Sequence, residues 1–310
     1  MRLALHFGTS VPLAVAAMIG SGSIRTSSTR LFACAATVWL ACACAPLWAD
    51  DDLIERGRYL IHAGGCVTCH TDEGDDAVPF AGGRAIESPF GTFYVPNITP
   101  DEQTGIGRWS DEDFVRAFWE GVNPEGEHYF PSFPFTSYTG ISRDDLLAMK
   151  AYLFSLDPVD KVNRDHDLPF MMSSRRAAGA WKGRYFTPGR FEPDPDQSDE
   201  WNRGAYLVRH LGHCGECHTP RSRLGAIRDT HQLQGNPDGP DGEKVPNITA
   251  DPDGDIGSWS ASDIEYFLDI GMLPDGDFTG GSMADVIEDN TSRLIREDRL
   301  AIVTYLKSLK

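Results

Sequence analysis

A Cys-x-x-Cys-His pentad occurs twice in this chain, as Cys66-Val67-Thr68-Cys69-His70 and as Cys214-Gly215-Glu216-Cys217-His218. Two thiols at this spacing followed directly by a histidine are the pattern that attaches a c-type haem. The thiols form thioethers to the porphyrin vinyls, and the histidine ligates iron. A zinc site would need further Cys or His at matching spacing, whereas here both copies sit in similar surrounds. Two covalently bound haem c are therefore expected, with Cys66, Cys69, Cys214 and Cys217 as attachment points and His70 and His218 as proximal ligands.

The rest of the cysteine count agrees. Cys34, Cys42 and Cys44 fall in the first 49 residues, a stretch with no acidic residue and only Arg2, Arg25 and Arg30 as basic ones. Residues 31–49 are apolar, and Asp50 opens an acidic run, so residues 1–49 read as a secretory signal cut near Ala49. The run is also long enough for a retained anchor, and the long lead before it fits a later translation start. No cysteine is then left for a disulfide, and the haems take over the stapling role that bridges play in small exported domains. Removing the signal leaves 25 basic and 46 acidic residues, a net charge of −21. Such a balance argues against binding nucleic acid or an anionic membrane surface, and it would steer in a basic partner.

The second half repeats the first at an offset near 150 residues. Gly57-Arg58-Tyr59-Leu60 returns as Gly204-Ala205-Tyr206-Leu207, and Pro96-Asn97-Ile98-Thr99 returns as Pro246-Asn247-Ile248-Thr249. Ile106-Gly107-Arg108-Trp109-Ser110 returns as Ile256-Gly257-Ser258-Trp259-Ser260. Helical periodicity covers about 53–63 and 201–211. Ser110 and Ser260, each with Asp three residues on, mark the start of a second helix, and Ser142 with Asp145 marks a last one. Long Gly- and Pro-rich loops lie between, where a haem supplies the missing core.

Residues 158–199 connect the repeats, with little periodicity and a basic stretch that includes Arg164, Arg175, Arg176, Lys182, Arg184 and Arg190. The segment reads as a linker packed across acidic domains, with a docking patch as the alternative. Phe170-Met171-Met172 reads as interdomain packing.

With these motifs together, the chain resembles the dihaem class I cytochromes c, and is similar to the cytochrome c subunits of bacterial periplasmic dehydrogenases. The resemblance covers residues 52–310 apart from the linker. It implies an all-α fold of two tandem class I cytochrome c domains, 50–157 and 200–310, joined by the irregular linker 158–199. It also implies a sixth ligand in the loop before the last helix, which in the second unit is Met283. In the first unit, aligning Gly121 with Gly271 and Gly126 with Gly276 sets Phe133 opposite Met283, and phenylalanine cannot ligate iron. His128, opposite Phe278 in the same loop, is the expected replacement. An open iron is one alternative, and ligation by His166, Met171 or Met172 of the linker is another.

His62 and His210 are expected to be structural, and His213 to face solvent or a propionate. Trp109 and Trp259 are expected to pack in the core or at the haem edge, with propionate hydrogen bonding through the indole N–H as the alternative, and Arg84 and Arg223 are candidates for pairing with propionates. The expected role is periplasmic electron transfer, not catalysis. The donor would be a periplasmic or membrane-associated dehydrogenase and the acceptor a soluble cytochrome or terminal oxidase. The rival is a haem enzyme whose open first haem acts on peroxide, a sulfur oxyanion or a small gas, with His128 or Glu127 as acid–base group.

Overall fold

The computed structural model describes residues 47–239 and 242–310, so the expected leader, 1–49, lies almost wholly outside the described residues. In chain order come α1 (Leu47–Ala63), α2 (Cys66–His70), a hairpin of β1 (Ala85–Ser88) and β2 (Gly91–Tyr94), α3 (Asp111–Glu120), α4 (Phe135–Tyr138) and α5 (Arg143–Phe154). There follow α6 (Arg175–Tyr185), α7 (Asp199–Tyr206), α8 (Gly215–His218), α9 (Ala261–Ile270), α10 (Gly281–Asp289) and α11 (Arg296–Ser308). A π-helical turn, Leu207–Leu211, prolongs α7 toward the second pentad. Among the described residues no helix is long and apolar enough to cross a membrane.

In each repeat the first and last helices cross: α1 packs on α5, and α7 on α11. The crossings are made at glycines, because a Cβ on Gly57 would lie 1.9 Å from the Ala148 carbonyl oxygen, and one on Gly204 1.9 Å from that of Ala301. Buried Leu60, Leu146, Met149 and Leu153 of the first repeat and Leu207, Leu211, Ile302 and Leu306 of the second belong to one continuous apolar cluster. The fold is helix-rich, as expected. Consistent with the all-α expectation, the strands are confined to one short antiparallel β1–β2 hairpin among the described residues, too short to leave an alternating signature.

α3 and α9 begin where the serines predict. Ser110 and Ser260 each accept from the N–H of the Asp three residues on, and that Asp accepts in return from the serine N–H. Hydrogen bonds from Ser110 hold the Asp113 carboxyl below the usual carboxylate range. Ser110→Ala is expected to lower stability by about 1 kcal/mol in urea denaturation and to move the Asp113 titration upward.

The connecting segment is more ordered than its sequence indicates. α6 starts at Ser174, whose hydroxyl accepts from the Arg176 N–H, and it buries Ala178. Upstream of it, Thr92 and Asp167 exchange backbone hydrogen bonds, which adds the segment to the hairpin edge. Phe170 and Met171 are 93% and 83% exposed, contrary to the packing role expected for them. They sit in the turn before α6, and the segment docks instead through its backbone bonds, through Leu168 and Ala178 beside Phe93 and Phe130, and through Phe186 against Phe135, ring centroids 5.1 Å apart.

Candidate functional site

The turn Pro96–Thr99 is locked by Asn97, whose Oδ1 accepts from both the amide and the hydroxyl of Thr99. This lock aims the Pro96 carbonyl at His70, whose Nδ1–H donates to it at 2.8 Å. The second repeat does the same: His218 Nδ1–H donates to the Pro246 carbonyl at 2.8 Å, with Asn247 Oδ1 accepting from Thr249. A histidine that gives its Nδ1 proton to a carbonyl keeps its Nε2 lone pair for a metal. Burial pushes the His70 imidazole down to about 4 and lowers that of His218, so both rings are neutral at pH 7.

Two further repeated features support each histidine. The Gly82 and Gly235 amides donate to the carbonyls of His70 and His218. Phe80 and Leu233, at matching places, have φ of 64° and 63°. Left-handed backbone at a bulky residue is strained. Its recurrence in both repeats marks it as part of the site's construction, and no residue-type signal reveals it in the sequence.

Cys66 is buried, Cys214 and Cys217 are half-buried and Cys69 is exposed, and all four are thiols rather than thiolates. Burial pushes Cys66 and Cys214 up to about 12 and Cys217 up to about 11, and it raises Cys69. Such thiols are poor redox nucleophiles. Among the described residues no three or more His, Cys, Asp or Glu gather as a metal-holding group. Two thiols and one tethered imidazole beside an apolar wall fit a haem c in donor set and surroundings.

The two pentads lie back to back. A Cβ on Gly64 would meet Cys66 Sγ at 3.4 Å and Leu211 at 3.5 Å; one on Gly212 would meet Ala63 at 3.7 Å and Cys214 Sγ at 3.8 Å. The Cys69 thiol is near enough to Cys217 to raise its pKa, as the nearer Glu216 also does. Around them the repeats exchange equivalent contacts. Tyr59 OH donates to Asp298 at 2.6 Å, and Asp298 also accepts from Arg203 at 2.8 and 2.6 Å. Reciprocally, Tyr206 OH donates to Asp145 at 2.5 Å, and Asp145 accepts from Arg56 at 3.1 and 2.6 Å. His62 contacts the Asp289 carbonyl while His210 contacts that of Ser137, so both are structural and join the repeats. His213 is half-buried and packs edge-on against Tyr138, ring centroids 5.2 Å apart. The sequence holds Tyr59 and Tyr206 in plain view as repeat markers, but nothing in it discloses their partners.

A cavity of about 410 Å³ opens beside Cys66 and His70, walled by Phe93, Phe114, Phe118, Tyr129, Phe130, Phe133 and Tyr138. Trp109 lines it as expected. The linker completes the wall with Asn163, Arg164, His166 and Arg175. Arg164 stacks on Tyr94 at 3.8 Å and Arg175 on Phe130 at 4.5 Å. Glu125 and Asp165 line the same cavity, so it carries charge of both signs. His128, the expected sixth ligand, is not among the residues that wall the cavity. Its ring packs where a Cβ on Gly179 of α6 would come within 2.3 Å, and its Nδ1 is buried without a partner. The linker helix drew the ring outward, a contact no local pattern announces.

Phe133 lines the cavity, edge-on to Phe118 and Tyr129 at 5.3 and 5.4 Å. The backbone bridges Val122 to His128 and Met272 to Phe278 confirm that these loops correspond, with Phe133 and Met283 five residues beyond. Met283 lies half-buried in the first turn of α10. Arg84 donates to the Thr68 carbonyl and to Asp285, bridging the repeats, and Arg223 is exposed.

No family model matches the chain. A protein named diheme cytochrome c-type from Cereibacter sphaeroides is 43% identical over 289 residues, covering 89% of this chain and 94% of that protein. The gluconate 2-dehydrogenase cytochrome c subunit of Pantoea cypripedii is 40% identical over 272 residues, covering 84% of this chain and 60% of the subunit. The fructose dehydrogenase cytochrome subunit of Gluconobacter japonicus is 39% identical over 266 residues, covering 85% and 54% respectively. The chain thus spans nearly all of the first relative and little more than half of the two dehydrogenase subunits.

Proposed function

This chain belongs to the dihaem c-type cytochromes, carrying two covalently bound haem c, and from that premise we propose that it relays electrons from a dehydrogenase to a downstream cytochrome or terminal oxidase. In this reading residues 50–157 and 200–310 are two tandem cytochrome c domains, and the protein works in the periplasm. Cys66 with Cys69, and Cys214 with Cys217, hold the haems; His70 and His218 are their proximal ligands, and Met283 is the sixth ligand of the second. When bound, each haem supplies a one-electron iron couple. The residues of the chain orient, desolvate and hold it.

The observation that carries the reading is the reciprocal pairing of Tyr59 with Asp298 and Tyr206 with Asp145, which fixes the two pentads back to back. A dehydrogenase donor is supported by the dehydrogenase subunits among the relatives. The experiment is injection of a single electron into the oxidised holoprotein by pulse radiolysis. Redistribution between the haems should be first order and independent of protein concentration. A rate that scales with protein concentration would mean exchange between molecules and would sink the relay.

Met283→Ala tests the second site. His/Met ligation raises the haem potential, so one of two redox waves should fall by at least ~59 mV, tenfold in equilibrium constant. The other should stay in place, and one low-spin signal should become high-spin.

A further inference from the structure

The first cavity is built without a distal ligand. Among its lining residues the imidazoles are His70 and His166, and there is no methionine. His70 is tethered to Pro96 on the proximal side. His166 is tethered in the opposite sense: its Nδ1 accepts from the Tyr94 N–H at 3.1 Å. A neutral ring that accepts at Nδ1 carries its proton on Nε2, and that nitrogen then has no lone pair for iron. Edge-on contacts to Phe93 and Phe130, at 5.4 and 5.6 Å, hold the ring in that orientation. His128 is turned away against Gly179. Phe133 stands where the second repeat has Met283.

Polar and charged groups, among them Asn163, Arg164, Asp165 and Arg175, also line the cavity, and its aromatic wall carries the phenols of Tyr129 and Tyr138. The Tyr129 hydroxyl has no hydrogen-bond partner among the described residues, whereas Tyr138 donates to the Gly64 carbonyl. Burial raises the Tyr129 phenol, which keeps it a donor at any physiological pH. The aromatic part of that wall, with the Tyr129 phenol as a neutral donor in it, favours a small neutral ligand on that side.

We propose that the first haem has no protein ligand on its Phe133 side and binds a small diatomic molecule there, with the Tyr129 hydroxyl as its hydrogen-bond donor. This makes the two haems unequal in kind: one closed by methionine, the other a ligand-binding centre wired to it. The inference rests on haem attachment at Cys66 and Cys69, so haem content is measured on every sample. Two haems per chain separates a failed ligand site from a failed attachment.

The test uses carbon monoxide as probe on the dithionite-reduced holoprotein. The wild type should take up one CO per chain, shifting half of the Soret absorbance, and its oxidised form should show one high-spin signal. Phe133→Met should abolish uptake and turn that signal low-spin. Tyr129→Phe should still bind but release CO about three- to tenfold faster, the loss of one neutral hydrogen bond. Absence of uptake in a wild type holding both haems overturns the proposal. So does uptake that first appears in His166→Ala or His128→Ala, or one CO per chain that persists in Phe133→Met.

Discussion

Asp298→Ala is expected to destabilise the holoprotein by about 3 kcal/mol, the lower end for breaking a buried ion pair, read as a shift in urea midpoint at pH 7. The carboxylate is only 8% exposed and accepts three hydrogen bonds, two from Arg203 and one from Tyr59 of the other repeat. Truncation leaves a half-buried guanidinium and a buried phenol without acceptors. Asp145→Ala, the equivalent change, should lose less, about 2 kcal/mol, because Arg56 is 58% exposed and recovers water. A larger loss at Asp145 than at Asp298 would contradict the burial argument.

The same carboxylate sets an acid limb. Burial pushes Asp298 up, but the hydrogen bonds from Arg203 and Tyr59 and the Arg203 charge prevail, so its folded value lies below the ordinary one. A depressed folded pKa means stabilisation that is complete above the unfolded value of about 3.9 and disappears as pH falls through the folded value. Stability of the wild type should therefore decline below about pH 4. Asp298→Asn should flatten that decline while lowering stability at neutral pH. An unchanged acid limb in the variant would show that Asp298 is not its source.

Gly204→Ala is expected to disrupt the second repeat, at a cost of about 3 kcal/mol or more. The added methyl would sit 1.9 Å from the Ala301 carbonyl oxygen and 2.8 Å from the Tyr305 Cβ, so α7 must lift from α11. Backbone cannot yield as a flexible side chain does. Gly57→Ala should act alike on the first repeat through Ala148. The readout is a separate early unfolding transition or reduced haem incorporation. A fully cooperative transition at the wild-type midpoint would show that the crossing relaxes freely.

Local signals were legible. The repeated Asn-Ile-Thr turns and the capping serines act over two to four residues, and each forms what its spacing requires. The helix crossings were legible as Gly-x-Tyr-Leu repeats, although the reason for the glycine needed coordinates. What could not be read acts at a distance. Tyr59 finds Asp298 across 239 positions, and His166 finds Tyr94 across 72. His128 packs its ring against Gly179 of α6, a contact that its own loop does not announce. Phe170 and Met171 looked like packing because they are apolar, and apolarity alone does not say which residues face water.

The linker's place in the first cavity bears on the order in which the protein is made. That wall stays incomplete until Arg175 has been synthesised, well after the first repeat ends. A nascent first repeat therefore presents its pentad with that side of the cavity still open. A chain cut at 157 would carry every helix of its first repeat and still lack the segment that closes its site.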